Sequence, residues 1–352
     1  MDILIIDDKV PDPHFGAGFP RAHRLMLSLI ELGHTIHFFP TLKNTIADLD
    51  PEMLAQFNVH VYDDIKKVKK VDVAILSRPH NVHYYLPVVK ETFPFAKTIY
   101  DTEALWFRRY DLQMETTGRL PGWAYRYDEI GLALQVDACF VVNDEEKGIL
   151  EGHGVKKVVK LGHALDINRN GLAHSARKDF LVVGGKLEDD SSNEDALWWF
   201  LENCWEAVNR DNQATLNVTG LVTSNRLLNH VFREVNLMGH VADLIPLYES
   251  HRVFVATTRF ATGIPWKVHE AMANGIPCVI SPLLAKQLGV TDGKEAYVAS
   301  TPERCLAVCS YLYQDATLWY KMREEGYNLV KRDCDPNNFK QIIATTLGSL
   351  VG

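Results

Sequence analysis

Short apolar, β-branched runs alternate with helix-length amphipathic stretches along this whole chain, and that alternation restricts it to a narrow set of folds. In the first half the runs are "DILIID", "HTIHFF", "VHVY", "VDVAILS", "KTIYD" and "ACFVVN"; in the second they are "FLVVGG", "ATLNVTG", "VNLMGH", "VFVATT", "PCVIS" and "AYVAS". Such runs suit strands buried on both faces, as in a parallel sheet covered by helices. Parallel neighbours need crossovers, and the intervening stretches are helical in pattern. "PRAHRLMLSLIELGH" repeats its apolar residues at helical spacing and stops at Gly33. Residues 163–178 hold few large apolar side chains and many Asn, His, Arg and Lys, which marks a linker. The length of 352 residues suits two domains. The expectation is an α/β chain of two doubly wound, Rossmann-like domains facing a cleft: 1–165, 166–334, and a last helix over 335–352 packing back on the first domain.

Composition removes several function classes. A formal net charge of −8 lacks the basic footprint of a nucleic-acid binder. No apolar run approaches the roughly twenty residues of a membrane span. "MDILIIDDKV" is acidic where a signal peptide is basic, and it reads as a strand. The six cysteines form no C-x-x-C pair, and Cys305 and Cys309, four apart on a helix, read as core. The expected setting is cytoplasmic and reduced, without structural zinc.

The densest chemistry lies in "RFATGIPWKVHEAMANGIPCVIS", residues 259–281. Strand, loop, helix and strand follow one another, with Pro265 suited to the first helical position and Gly275 to the place just past the end. A helix starting at the carboxyl end of a parallel strand favours an anion. Lys267 and Glu270 lie three apart on one face of it; the plain alternative is a solvated ion pair worth about 0.2–0.5 kcal/mol. After the first strand comes a long loop with Gly16-x-Gly18 and then Arg21. It is not a dinucleotide fingerprint, because the third glycine and the acidic end of the second strand are missing. Asp7 and Asp8 read as turn formers.

"GGKLEDDSSNEDALWWF" and the 259–281 stretch, with "IIDDKVPDPHFGAGFPR", "IYDTEALWFRR" and "VVKLGHALD" in the first half, resemble the group 1 (family four) glycosyltransferases of GT-B fold. The resemblance spans nearly the whole chain. It implies sugar transfer from a nucleoside diphosphate sugar to a saccharide or lipid-linked acceptor, with retention of configuration and no metal or other cofactor. Lys186 and Gly185 of "GGKL", Gly263, Ile264 and Lys267 would meet the donor diphosphate, with Gly16, Gly18 and Arg21 closing on it from the first domain. Lys186, Lys267 and Arg21 would carry the catalysis, and Glu270 would grip the ribose hydroxyls. On the acceptor side the resemblance points to His80, His83, Asp101, Glu103 and His163.

Two departures stand out. Thr262 occupies the place of the first Glu in the family's E-x7-E, leaving G-x-x-x-K-x-x-E, and "SSNED" replaces a second basic residue downstream of "GGKL". Both recur in a divergent branch of these enzymes. Trp106, Trp123, Tyr125 and Tyr127 read as core aromatics, with stacking on a sugar as the sharper alternative. Asp48-x-Asp50 and Asp333-x-Asp335 match the metal-binding D-x-D of the other main glycosyltransferase fold in form, but each precedes a proline and reads as a turn. "DDIKKVKKVD" reads as a solvated face, with weak contact to anionic lipid at the inner membrane surface as a second reading. The rival functions are a nucleotide-sugar 2-epimerase and a non-catalytic sugar-nucleotide or glycan-binding module.

Overall fold

A computed structural model describes residues 1–12, 18–42 and 58–352. The chain forms two units: residues 1–111, 120–164 and 336–352 make the first, and 112–119 with 165–335 the second. Gly16, Asp48 and Asp50 lie outside the described residues.

The first unit is built on seven strands: β1 (Asp2–Asp7), β2 (Thr35–Pro40), β3 (Val59–Val61), β4 (Val73–Ser77), β5 (Lys97–Asp101), β6 (Ala138–Val141) and β7 (Val158–Lys160). They lie parallel in the order β3-β2-β1-β4-β5-β6-β7. Alternation along each strand feeds two layers. Ile3, Ile5, Val73 and Ile75 enter one apolar cluster, and Leu4, Ile6, Ala74 and Leu76 the other. Both faces are therefore dry, which is why these strands read as unbroken apolar runs. The first helix, Phe19–Glu31, sets Leu25, Met26 and Leu29 into the first cluster. The last helix, Pro336–Val351, adds Phe339, Ile343 and Leu347 to the same cluster, each at most 2% exposed.

The second unit holds β8 (Lys178–Leu187), β9 (Leu216–Val222), β10 (Val235–Gly239), β11 (His251–Ala256), β12 (Cys278–Ile280) and β13 (Tyr297–Val298). These are parallel in the order β10-β9-β8-β11-β12-β13. Again the faces alternate: Phe180, Val182, Val253 and Val255 pack in one layer, Leu181, Phe254, Cys278 and Ile280 in the other. Cys305 and Cys309 are fully buried in the first of these layers, as their helical spacing predicts. β7 is the one strand absent from the sequence expectation. No described helix is long and apolar enough to cross a membrane.

Candidate functional site

Each sheet reverses its strand order once, between β1 and β4 in the first unit and between β8 and β11 in the second. The space beyond the carboxyl ends of the strands at such a reversal is where open α/β sheets bind ligands. Most of the residues singled out in the sequence gather at these two places.

In the second unit β8 runs out through Gly184, Gly185 and Lys186, with its pairing to β9 shifted between Val183 and Lys186. Gly185 has φ +63° and Gly220, across from it, φ +129°. A Cβ on Gly220 would stand 2.6 Å from the Gly185 carbonyl oxygen, so the two backbones meet as only glycine permits. β11 ends at Ala256, and a loop with Gly263 at φ +83° leads to the helix Trp266–Ala273. Pro265 caps this helix, one place earlier than expected, and its carbonyl accepts from the Val268 amide at 3.0 Å. Gly275, at φ +67°, follows the far end.

Lys267 and Glu270 do not pair with each other. Lys267 Nζ donates to Asn193 Oδ1 at 3.0 Å, at a small cavity that Gly184, Asn193, Thr257 and Lys267 help to line. Burial pushes its ammonium down to about 8. Glu270 accepts from the hydroxyl of buried Tyr248 at 2.9 Å. Burial pushes the Glu270 carboxyl up, against the hydrogen bonds from Tyr248 and Trp266. The solvated ion pair is thus replaced by two divergent, individually anchored groups. Lys186 keeps 72% of its side chain exposed and lies 3.7 Å from Glu188. Arg259 ties the loop to the helix Ser192–Phe200 by donating from Nε to Asp195 at 2.9 Å. Thr262 has a buried Oγ1 with no hydrogen-bond partner among the described residues.

In the first unit the carboxyl ends of β1, β4 and β5 bring acids and arginines together. Arg78, at φ +74°, donates from Nε to Asp7 at 2.9 Å and lies 3.0 Å from Glu103, itself at φ +54°. Two facing non-glycine residues in a sparsely allowed conformation mark a place where the fold over-determines its backbone. The Glu103 carboxylate fills the space over Gly18, where a Cβ would meet Oε2 at 2.7 Å. Burial pushes Asp7 and Glu103 up, opposed in each case by Arg78. Asp8 accepts from His80 at 2.6 Å and from Asn81 at 3.0 Å. Asp7, at the end of β1, and Asp8 just after it thus lie inside a cluster of Arg78, His80 and Asn81.

Arg21 and Asp101 form a buried pair. Arg21 is 2% exposed, and its Nη1 donates to Asp101 Oδ2 at 2.7 Å. Its Nε and Nη2 donate to the carbonyls of Leu161 and Gly162. The guanidinium is thus held by the first unit's own carbonyls and by Asp101, which is fully buried. His163 is buried, and His83 is exposed beside the rings of Tyr84 and Tyr127. Asp333 pairs with neighbouring Arg332 at a helix end, and no group of three or more metal-binding side chains occurs among the described residues.

Residues 177–315 match the family described as Glycosyl transferases group 1. No curated protein matches. Solved glycosyltransferases share the fold over the whole length. Sucrose-phosphate synthase from Thermosynechococcus elongatus is 10% identical, with 99% of each chain covered and a TM-score of 0.68. A glycosyltransferase from Rickettsia africae is 12% identical over 99% of this chain and 98% of its own, with a TM-score of 0.68. Anabaena HepE, solved in complex with UDP and glucose, is 15% identical over 99% of this chain and all of its own, with a TM-score of 0.65. The α/β fold is GT-B, as the sequence resemblance implied.

Proposed function

We propose that this chain, a GT-B fold whose residues 177–315 match the family Glycosyl transferases group 1, moves a sugar from a nucleoside diphosphate sugar to a saccharide or lipid-linked glycan acceptor with retention of configuration. The observation that carries the reading is the divergence of Lys267 and Glu270 from one helix turn at the β8–β11 reversal. A buried lysine beside a helix N-terminus suits a diphosphate, and a carboxylate fixed by Tyr248 suits a pair of vicinal hydroxyls. HepE, solved with UDP and with UDP-glucose, is one reason to read that anion as a nucleoside diphosphate.

The reaction must stabilise negative charge growing on the departing diphosphate. Lys267 supplies a fixed cation in a poorly solvated place, Lys186 a mobile one, and the amides of Gly263 and Ile264 add the helix dipole. No carboxylate in the second unit is proposed as a nucleophile, which favours displacement on the face that the leaving group occupies. A non-catalytic sugar-nucleotide-binding module is the second reading, favoured by Thr262 where the family has a Glu.

The test is a thermal-shift screen of UDP-, GDP- and dTDP-sugars followed by transfer assays with the donor that binds. One donor should raise the melting temperature by mass action and be consumed with an acceptor. EDTA should leave the rate unchanged; restoration of a lost rate by manganese or magnesium would remove the lysine-based account. Binding without turnover across saccharide acceptors would favour the module.

A further inference from the structure

We infer that the first unit carries an elongated glycan-binding track, running from His80 past Trp106 to Trp123 and Tyr125, that takes an acceptor chain of several sugar residues. The inference rests on the reading of the chain as a glycosyltransferase and adds the class of acceptor and the residues that hold it.

The inner end is the Asp8–His80 pair. Burial alone would raise Asp8, but the His80 hydrogen bond and the Arg78 charge outweigh it and hold the carboxyl below its usual range. An ionised Asp8 accepts, so His80 Nε2 carries the proton of that 2.6 Å bond. The other ring nitrogen, Nδ1, has no hydrogen-bond partner among the described residues. The His80 side chain is 25% exposed. An oriented imidazole of this kind suits a sugar hydroxyl.

Aromatic rings lead away from it in short steps. His80 lies 5.6 Å from Trp106 and 6.3 Å from Tyr127. Trp106 and Tyr110 stand one turn apart on a helix, and the Arg109 guanidinium lies 5.6 Å from each ring. Tyr110 is buried, and the rings of Trp123 and Tyr125 make T-shaped pairs with it, centroids 5.6 and 5.3 Å away. The Tyr125 hydroxyl donates to Asp111 at 2.8 Å. Yet Trp123 and Tyr125 keep 50% and 48% of their surface in solvent. Two large rings are thus anchored on buried Tyr110 while about half of each stays in solvent. Rings fixed in advance lose little rotamer freedom on stacking.

The chemistry selects a saccharide. A pyranose has an apolar C–H face and a hydroxyl rim, so it needs a ring with hydrogen-bonding groups beside it. Three rings of the track have one: His80 by Trp106, Arg109 between Trp106 and Tyr110, Asp111 by Tyr125. Cations and acids are mixed, which complements neutral hydroxyls and gives no net attraction to an anionic lipid surface. The spacing of the steps is on the scale of one sugar residue, and continuity with the Asp8–His80 pair sets the direction of the chain.

The full-length protein is applied to immobilised neutral glycans graded from single sugars to long oligosaccharides, alongside phosphatidylserine vesicles and a thermal-shift assay with UDP-, GDP- and dTDP-sugars. Wild type should bind long glycans best. Trp123→Ala should weaken that binding about 10-fold, equivalent to about 1.4 kcal/mol, while leaving the nucleotide-sugar shift unchanged. Tyr125→Phe, which keeps the ring, should retain most of it. Equal binding by wild type and Trp123→Ala would overturn the track, as would no preference for length or binding to vesicles alone. Loss of the nucleotide-sugar shift in wild type would instead remove the glycosyltransferase reading, and the track's role as an acceptor site would fall with it.

Discussion

Lys267 holds a positive charge where burial disfavours one, and this gives it a pH signature. Below about 8 the ammonium is charged and can meet a diphosphate; above it the free enzyme loses that charge. Donor kcat/KM should fall above about pH 8, and Lys267→Arg should flatten the fall because a guanidinium stays charged. The fold should not weaken with it. Between about 8 and the ordinary 10.5 the unfolded chain holds the extra proton, so this group makes stability rise with pH. Melting curves across the same range separate the two effects. Lys267→Ala should mainly lower kcat, by roughly 100-fold, because its partner gains charge in the transition state. Glu270→Gln should mainly raise the donor KM, by about 10- to 100-fold, because ribose hydroxyls change little during reaction. Wild-type donor kinetics in both variants would remove the donor site from this helix. Arg21→Met tests the buried pair with Asp101. With Asp101 left as a buried unpaired charge, urea unfolding should show a loss of about 3–5 kcal/mol, while the donor KM of the folded protein holds. Distance along the chain decides what is legible. Lys267 and Glu270 stand out because glycine, proline and charge lie together within "TGIPWKVHE". Arg21 and Asp101, or Asp8 and His80, are 80 and 72 residues apart, and nothing local in either stretch announces the pairing.

At the scale of elements, the strands were readable because burial on both faces leaves a continuous apolar run, as in "VDVAILS". β7 escaped notice because it has only three residues, and Lys160 ends it in solvent. The shifted pairing of β8 and β9 was beyond sequence, since it depends on Gly220 approaching Gly185 from another strand. That approach makes a sharp prediction. Gly220→Ala places a Cβ against backbone at φ +129°, where no flexible side chain can yield. Stability in urea should drop by about 1–3 kcal/mol, and the donor-induced thermal shift should shrink because Gly185 and Lys186 move with the bulge. An unchanged melt would mean that β9 can slip to relieve the contact.

For the whole molecule, the decisive feature is that the first unit is not made of consecutive sequence. The helix Pro336–Val351 belongs to it, although residues 165–335 build the second unit in between. Replacing Ile343 and Leu347 by Ala should remove about 2–5 kcal/mol each, with coupling between neighbours, and hydrogen exchange should quicken in β1 and β2 but not in β8 and β11. The same connectivity imposes an order on birth from the ribosome. At about 5–20 residues per second, translation of residues 165–335 takes roughly 10–30 s. Through that interval the nascent first unit waits with Leu25, Met26 and Leu29 lacking their cover, while the second unit has every residue it needs. A chaperone has its longest opportunity at that bare stripe, and the part of the protein made first is the last to be sealed.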